Sequence, residues 1–308
     1  MKVSVVIETD SIHSYDDIKF EDCLSAVAHQ TFPRQETEFI IVQGGKVPDL
    51  DSIVHRILPE AKVLTRIGST KFEQKNLGSS HATGEIIAFI DGDCAAAPNW
   101  IEQIVSELSI APSNVAGLQG ATKLTKRVLS NEISALFYGL RRDGSPEYSS
   151  RLVTDNCAFR KEIFKQFRFE HSDFSTVSDT LFFLKLRKAG FQMLLCKDLS
   201  MSHSFPGMTQ DGLSWFFGRA FGVGYYMVKA RQIEPELRGS RLIRKFSGIG
   251  WPILAAAKWV LDLDQIRQNR TNLQASFLTA LPITFLYHPT LFLGGLAALI
   301  GLKPPRWS

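Results

Sequence analysis

The chain has 308 residues, of which 44% are apolar and 21% charged, and its formal net charge is only +4. That length can bury a full core, and the composition is that of a globular protein, which excludes a low-complexity or disordered chain. The four cysteines (Cys23, Cys94, Cys157, Cys196) lie far apart with no CxxC pair, so neither a zinc site nor a disulfide framework is indicated, and a reducing compartment fits.

The N-terminus, MKVSVVIETD, reads as a strand over 3–8 that reaches a polar end. It lacks the apolar core and cleavage site of a signal peptide, so the N-terminal part is expected to stay in the cytoplasm. A helix follows through DCLSAVAHQ (22–30), and EFIIVQ (38–43) is the next strand, ended by Gly44 and Gly45. LDSIVHRILP is helical, AKVLT (61–65) a third strand, and KFEQKNLGSSHA a helix. EIIAFID (85–91) is the fourth strand, with NWIEQIVSELS as the helix behind it. Strand and helix alternating at this spacing predict βαβ units and a mostly parallel, Rossmann-like α/β sheet flanked by helices. Near-continuous apolar strands agree, because parallel strands are buried on both faces. Ligands of such sheets bind beyond the carboxyl ends of the strands, where Thr9, Asp10, Gln43, Asp91 and Asp93 gather.

From about residue 115 the alternation loosens. VAGLQGAT and RLVTDNCAF read as strands, SDTLFFLKLRKAG as a helix stopped by Gly190, FQMLLC as a strand and LSMSHSFP as a short extended piece. WFFGRAFGVGYYMVKARQ (215–232) is helical. Between Lys229 and Lys245 six basic residues face only Glu234 and Glu236, a net +4 that equals the excess of the whole chain. Such a strip faces nucleic acid, a phosphate-bearing substrate, anionic lipid headgroups or simply water. FSGIGWPILAAAKWVL (246–261) is apolar with one lysine, and the 26 residues of 277–302 hold no acidic or basic side chain but His288. A hydrocarbon core needs roughly 20 apolar residues, so a membrane-associated hairpin is expected, with a pair of soluble core helices as the alternative. Pro282 and Pro289 favour kinks there. The expected organisation is therefore a catalytic domain over 1–210, a basic amphipathic segment over 211–245 and apolar helices over 246–308.

The pair Asp91 and Asp93 carries the chemistry. An Asp-x-Asp alone is weak, since about one arises by chance in a chain this long. Here the pair ends a buried strand at the ligand edge of the sheet, and Gly92 lets the backbone turn between the two. Carboxylates this close repel, and a hard cation such as Mg²⁺ or Mn²⁺ relieves that repulsion. A cation held so can neutralise a diphosphate leaving group.

At this point the chain resembles the family 2 glycosyltransferases and their GT-A fold, over roughly residues 3–225. VSVVIETDS looks like the first strand and nucleotide-contacting turn of that family. KNLGSSHATGEIIAFIDGDC resembles its "R-N-x-G … A-x-G-x-x-(I/V)-x-F-x-D-x-D" run, the most specific match. TDNCAFRKEIF resembles the acceptor-side "N-x-A-x-R-(R/K)" segment, SDTLFFLKLRKAGFQ the "E-D-x-(D/E)-(L/F)-x-x-R-x-x-x-x-G-(Y/F)" helix, and LSMSHSFP the piece ending in histidine. The 215–232 helix resembles the "(F/Y)-x-x-G-R-x-x-G" helix of membrane-linked members and lacks the Q-x-x-R-W of processive synthases.

The resemblance implies an inverting, metal-dependent transferase at the cytoplasmic face of the cell membrane, moving a sugar from a nucleoside-diphosphate sugar to a glycan or lipid-linked acceptor. It places Asp91 on the ribose or metal, and Asp93 with His203 on Mg²⁺ or Mn²⁺. Asp179 becomes the general base, since the attacking hydroxyl turns acidic as it bonds to the anomeric carbon. Glu8, Thr9, Gln43, Lys75 and Asn76 fall near the nucleotide, Asn156 on the acceptor side, and Arg219 near a phosphate of donor or acceptor. Nucleic acid is not an expected partner. Three departures stand out: Glu8 replaces a proline, VQGG replaces the acidic D-D-G-S or D-N-G-S that reads uracil, and Ser178 replaces the glutamate before Asp179. UDP remains the expected base, with GDP and dTDP open. The loops around 120–175 and 204–220 are expected to shape the acceptor. A catalytically silent binding protein of the same fold is the alternative. A nucleotidyltransferase fits less well, because no Gly-rich, basic loop follows the first strand.

Overall fold

The structure is a computed structural model that describes residues 1–14, 16–125, 148–149, 151–170, 177–205, 210–273 and 277–302. Much of the expected acceptor loop over 120–175, and Pro206 at the end of LSMSHSFP, lie outside these residues. The chain divides into two compact units, one formed by Met1–Thr125 with Leu140–Ser204 and the other by Lys126–Gly139 with Phe205–Ser308.

In the first unit the described elements run β1 (Val3–Glu8), α1 (Phe20–Ala28), β2 (Thr37–Gln43), α2 (Leu50–Ile57), β3 (Lys62–Thr65), α3 (Lys71–His81), β4 (Ile86–Asp91), β5 (Cys94–Ala96), α4 (Trp100–Ile110), β6 (Val115–Leu124), β7 (Asn156–Arg160), α5 (Ile163–Gln166), α6 (Ser178–Lys188) and β8 (Gln192–His203). The strands form one eight-stranded sheet in the order β3-β2-β1-β4-β7-β6-β8-β5. β1 runs parallel to β2 and β4, β2 to β3, and β6 to β8. β7 lies antiparallel between β4 and β6, and β5 antiparallel on β8.

Strand alternation builds two cores, one on each face. Val3, Val5 and Ile7 of β1 and Ile86, Ala88 and Ile90 of β4 pack with α1, α2 and α4. Val6, Ile87 and Phe89 point the other way, into an aromatic cluster of Phe72, Phe159, Phe164, Phe169 and Phe182. Phe169 and Phe182 stand 4.4 Å apart between ring centroids. α3 docks on this second face through Gly78, where an added Cβ would meet Val6 Cγ1 at 2.3 Å. Its first turn is closed by Glu73, which accepts from the Thr70 amide at 2.9 Å.

The structure departs from the sequence reading in three places. The strand read over 151–159 is ordered as a strand only from Asn156; before it, Val153 N donates to Gln119 Oε1 and Thr154 O accepts from Lys75 of α3. FQMLLC and LSMSHSFP form a single strand, β8. The three-residue β5 was not expected; it is too short to show a period of two and exists through its pairing of Cys94 with His203.

The second unit is helical among its described residues: α7 (Gln210–Ile233), α8 (Ser240–Lys245), α9 (Ser247–Leu273) and α10 (Phe277–Leu299). Glycines let α7 and α10 touch backbone to backbone: a Cβ on Gly224 would lie 1.8 Å from Leu291 O, and one on Gly294 2.0 Å from Phe221 O. Of the two apolar stretches, Leu281–Leu299 is long and apolar enough to cross a membrane, with half of its window buried. Pro252, Pro282 and Pro289 sit inside continuous helices.

Because Gly78 faces an interior with no spare room, Gly78→Ala should destabilise the first unit by about 1–3 kcal/mol, the usual cost of overpacking. A melting temperature within a degree of wild type would refute the close α3–β1 contact.

Candidate functional site

The site forms where β1, β4 and β7 end. Glu8 is the register partner of Asp91. The β4–β7 ladder ends with Ile90 paired to Asn156, so Asp155, the residue before β7, adjoins the end of β4 at Asp91. All three carboxylates continue the rows of Val6, Phe89 and Cys157, on the face that α3 covers. Like charges this near would repel, and one cation answers them. Lys75 of α3 is wholly buried, and its ammonium donates to Asp91 Oδ1 and to Thr154 O at 3.0 Å, with the Phe89 ring centroid 5.5 Å away.

The charges resolve in a definite order. Burial opposes the Lys75 ammonium, but Asp91 and Glu8 outweigh it and hold its pKa above the ordinary value. Burial likewise opposes ionised Asp91, and Lys75 outweighs that and keeps its pKa low. Glu8 has no such partner: burial, then Asp91, push its pKa up to about 8. Its Oε2 accepts from the Asp10 and Ser11 amides at 2.7 and 3.2 Å.

Two residues on, Asp93 turns towards β8. His203 Nε2 lies 3.5 Å from Asp93 Oδ2, and Asp93 O accepts from the Ser204 amide at 3.0 Å. The other ring nitrogen, Nδ1, is 2.8 Å from Ser204 O. An Nδ1–H donated to that carbonyl fixes the tautomer with the Nε2 lone pair towards Asp93, the arrangement of a metal-binding histidine. Asp93, Cys94 and His203 hold their ligand atoms within 4.8 Å of one another. Burial raises the pKa of Asp93 to about 7 despite His203. Burial lowers that of His203, but Asp93, Asp155 and Asp91 outweigh it and raise it. One carboxylate and one imidazole are donors for a divalent cation, and the thiol of Cys94, buried and held protonated, adds little to a hard ion. Gly92 between the two aspartates has no positive φ; glycine is needed because a Cβ would press on Glu8 O at 2.9 Å.

The other expected site residues divide. Gln43, at the end of β2, donates to Thr65 Oγ1 at 3.1 Å and Asp51 Oδ1 at 3.4 Å. Asp179 lies in the first turn of α6, where Oδ1 accepts from the Thr180 amide at 2.6 Å, and its charge acts on the Cys157 thiol together with those of Asp155 and Asp91. Thr9, Asn76 and Asn156 turn their polar atoms inward. Thr9 donates its amide to Gln74 Oε1 at 2.8 Å and its hydroxyl to Val42 O at 3.2 Å. Asn76 clasps the Phe169 backbone with two bonds of 3.0 Å. Asn156 points to the opposite face of the sheet from Asp155, accepting from Trp100 Nε1 at 2.8 Å and donating to Ala121 O and Leu199 O. Arg219 belongs to the second unit, with its guanidinium 5.7 Å from the Trp215 ring centroid. The residue that the sequence reading passed over is Asp155.

Residues 19–168 match Glycosyl transferase family 2. This stretch belongs to that family. The family 2 stretch contains Gln43, Lys75, Asn76, Asp91, Asp93 and Asn156, whereas Glu8, Thr9, Asp179, His203 and Arg219 fall outside it. Among curated proteins, it is similar to glycosyltransferase AglE of Haloferax volcanii, 29% identical over 93 residues, covering 29% of this chain and 31% of the relative. It is also similar to the glucosyl-dolichyl phosphate glucuronosyltransferase of the same organism, 29% identical over 119 residues, covering 38% of this chain and 37% of that relative. The matched stretches thus span about a third of these relatives.

The fold is GT-A, shared with solved glycosyltransferases. Mannosyltransferase PcManGT from Pyrobaculum calidifontis, in complex with GDP-Man and Mn²⁺, superposes with a TM-score of 0.62 at 16% identity, over 98% of this chain and 88% of that one. S. aureus TarS in complex with UDP-GlcNAc gives a TM-score of 0.52 at 13% identity, over 99% and 93%.

Removing one partner of a buried ion pair leaves the other charge stranded, at about 3–5 kcal/mol. Lys75→Met should therefore lower the unfolding free energy by that amount in guanidinium melts, and Lys75→Arg by less. Wild-type stability in Lys75→Met would mean that Asp91 does not depend on this ammonium.

Proposed function

We propose that the chain is an inverting, metal-dependent glycosyltransferase. It moves a sugar from a nucleoside-diphosphate sugar to a hydroxyl of a glycan or lipid-linked acceptor at the cytoplasmic face of the membrane. The observation that carries the reading is the division of labour at the sheet edge of a family 2 stretch: Asp91 is tied to Lys75, while Asp93 and His203 converge beside it.

Asp93 and His203 would hold the Mg²⁺ or Mn²⁺, with Asp91 beside them. When bound, the cation supplies positive charge that stabilises the diphosphate as the sugar leaves. Lys75 keeps Asp91 ionised at the rim of the site. Asp179 takes the proton of the acceptor hydroxyl; the helix N-terminus on which it sits favours a carboxylate, and the Thr180 amide orients it. Expulsion of the diphosphate and attack from the opposite face then invert the anomeric carbon in one step.

The names of the similar proteins support the donor and acceptor classes: GDP-Man and UDP-GlcNAc are bound by two structural neighbours, and a dolichyl phosphate stands in the name of one relative. UDP is the expected base, read in part by Gln43. The membrane reading draws on the second unit. Arg238, Arg241, Arg244 and Lys245 are exposed. They lead into exposed Phe246, Ile249, Ile253, Val260 and Leu261, and α10 exposes Phe285, Leu286 and Leu293.

Three outcomes are expected. Asp93→Ala should abolish transfer of a radiolabelled sugar, and Asp179→Asn should reduce it by about 10²–10⁴-fold, the usual contribution of a general base, with circular dichroism unchanged. Undiminished turnover in both variants would sink the assignment. EDTA should remove activity and Mn²⁺ or Mg²⁺ restore it, and thermal-shift screening with Mn²⁺ should find at least one stabilising nucleotide-sugar; a silent binding protein of this fold predicts none. Reversing Arg238, Arg241, Arg244 and Lys245 to Glu should weaken binding to vesicles containing anionic lipid, at about 1 kcal/mol per charge. Equal partitioning of variant and wild type in vesicle sedimentation would remove the basic strip from the membrane account.

A further inference from the structure

Asp155 is a buried carboxylate, 4% exposed, and neither of its oxygens has a hydrogen-bond partner among the described residues. Buried polar groups are nearly always paired, and one left without a partner costs stability unless something else uses it. Asp91 has Lys75, Asp93 has His203, and Glu8 has two backbone amides on Oε2 although its Oε1 is buried without a partner; Asp155 lacks a partner on both oxygens.

Its position narrows what the partner is. Asp155 immediately precedes β7, whose last ladder pair with β4 is Ile90–Asn156, so it adjoins the end of β4 at Asp91. The charges that act on it are His203, Asp91, Lys71 and Lys75. Its charge acts on His203 and, with those of Asp91 and Asp179, on the Cys157 thiol. Asp155 does not join Asp93, Cys94 and His203 in the group whose ligand atoms fall within 4.8 Å of one another. One ion with ligands at about 2.0–2.2 Å would need such closeness, so Asp155 is not part of that coordination sphere. Between a diphosphate-binding cation and a base that receives the acceptor proton lies the sugar in transit. A carboxylate offers two acceptor oxygens, a match for the paired hydroxyl donors of a pyranose.

We propose that Asp155 accepts hydrogen bonds from hydroxyl groups of the sugar being transferred, and so selects the donor by its sugar. This rests on the glycosyltransferase reading and adds to it a residue that reads the carbohydrate and not the nucleotide. The carboxylate stays unpaired in the ligand-free protein because sugar hydroxyls complete its hydrogen bonding.

The test compares each nucleotide-sugar with its own nucleotide. Full-length wild type, Asp155→Ala and Asp155→Asn are titrated calorimetrically in Mn²⁺ with UDP-GlcNAc against UDP, and GDP-mannose against GDP. For the sugar that wild type binds, Asp155→Ala should weaken the nucleotide-sugar at least tenfold while the matching nucleotide changes less than twofold. Asp155→Asn should fall between the two. Equal weakening of both ligands would place Asp155 on the cation or diphosphate, and no weakening would remove it from the site; either overturns the proposal while leaving the transferase reading intact. A wild type that binds none of these nucleotide-sugars, although it is folded, overturns both. The ligand-free variants supply a second readout. Loss of an unpartnered buried carboxyl should leave the melting temperature equal or higher. A variant that melts several degrees lower, or does not fold, shows that Asp155 has a structural partner and overturns the assignment.

Discussion

The buried ion pair between Lys75 and Asp91 is the constraint on which the site depends. A wholly buried ammonium is tolerated only with a close counter-charge, and here it meets one beneath a helix pressed onto the sheet through Gly78. Once Asp91 is held ionised, its register neighbour Glu8 cannot share the same cation equally, and its pKa climbs to about 8. The two aspartates of FIDGDC thus receive different duties from their surroundings. Asp91 is neutralised from within the protein, and Asp93, one glycine further on, is left facing a histidine. A cation site next to an internal ion pair avoids the full repulsion of two unscreened carboxylates.

The first half of the fold was legible in the sequence because each element there obeys one period. VSVVIE, EFIIVQ and EIIAFID are apolar throughout, as strands covered on both sides must be, and they pair in parallel where the alternation with helices placed them. The second half was less legible because its strands depend on partners far along the chain. β5 is three residues long, and β7 runs antiparallel between β4 and β6 without a hairpin to announce it. The site shows the same division. Asp93 and His203 were found from motif order, and the structure brings them together. Asn156 was read as acceptor-side, and in the structure its side chain bonds Trp100 Nε1, Ala121 O and Leu199 O; its neighbour Asp155 was not singled out. Counting by twos from buried Cys157 and Phe159 would have put Asp155, and not Asn156, on the face of Asp91.

Thr9, Asn76 and Asn156 show a further limit of motif reading. Each falls in a stretch that resembles a ligand-contacting segment, yet each ties together pieces of the first unit: Thr9 joins β1 to α3, Asn76 clasps Phe169, and Asn156 links Trp100 to the ends of β6 and β8. Side-chain amides and hydroxyls have both donors and acceptors, so they suit backbone cross-bracing as well as ligand contact. A motif identifies the neighbourhood of a site, whereas the hydrogen-bond inventory separates residues that frame it from those that face it.

The second unit buries one cluster of ionisable groups: Asp262 is 2% exposed, with the Lys258 ammonium at 2.6 Å and His288 Nε2 at 3.3 Å. Many exposed positions on α9 and α10, among them Ile249, Ile253, Val260, Phe285 and Leu293, are apolar. A helix pair in water hides apolar side chains and shows charged ones, so this arrangement would raise its free energy in water; in lipid, interior-facing charges and apolar flanks are the expected pattern. The Gly224 and Gly294 contacts fit the same account, since close backbone approach replaces the hydrophobic drive that lipid cannot supply. Exposed Arg238, Arg241, Arg244 and Lys245 immediately before these helices are charges suited to anionic headgroups.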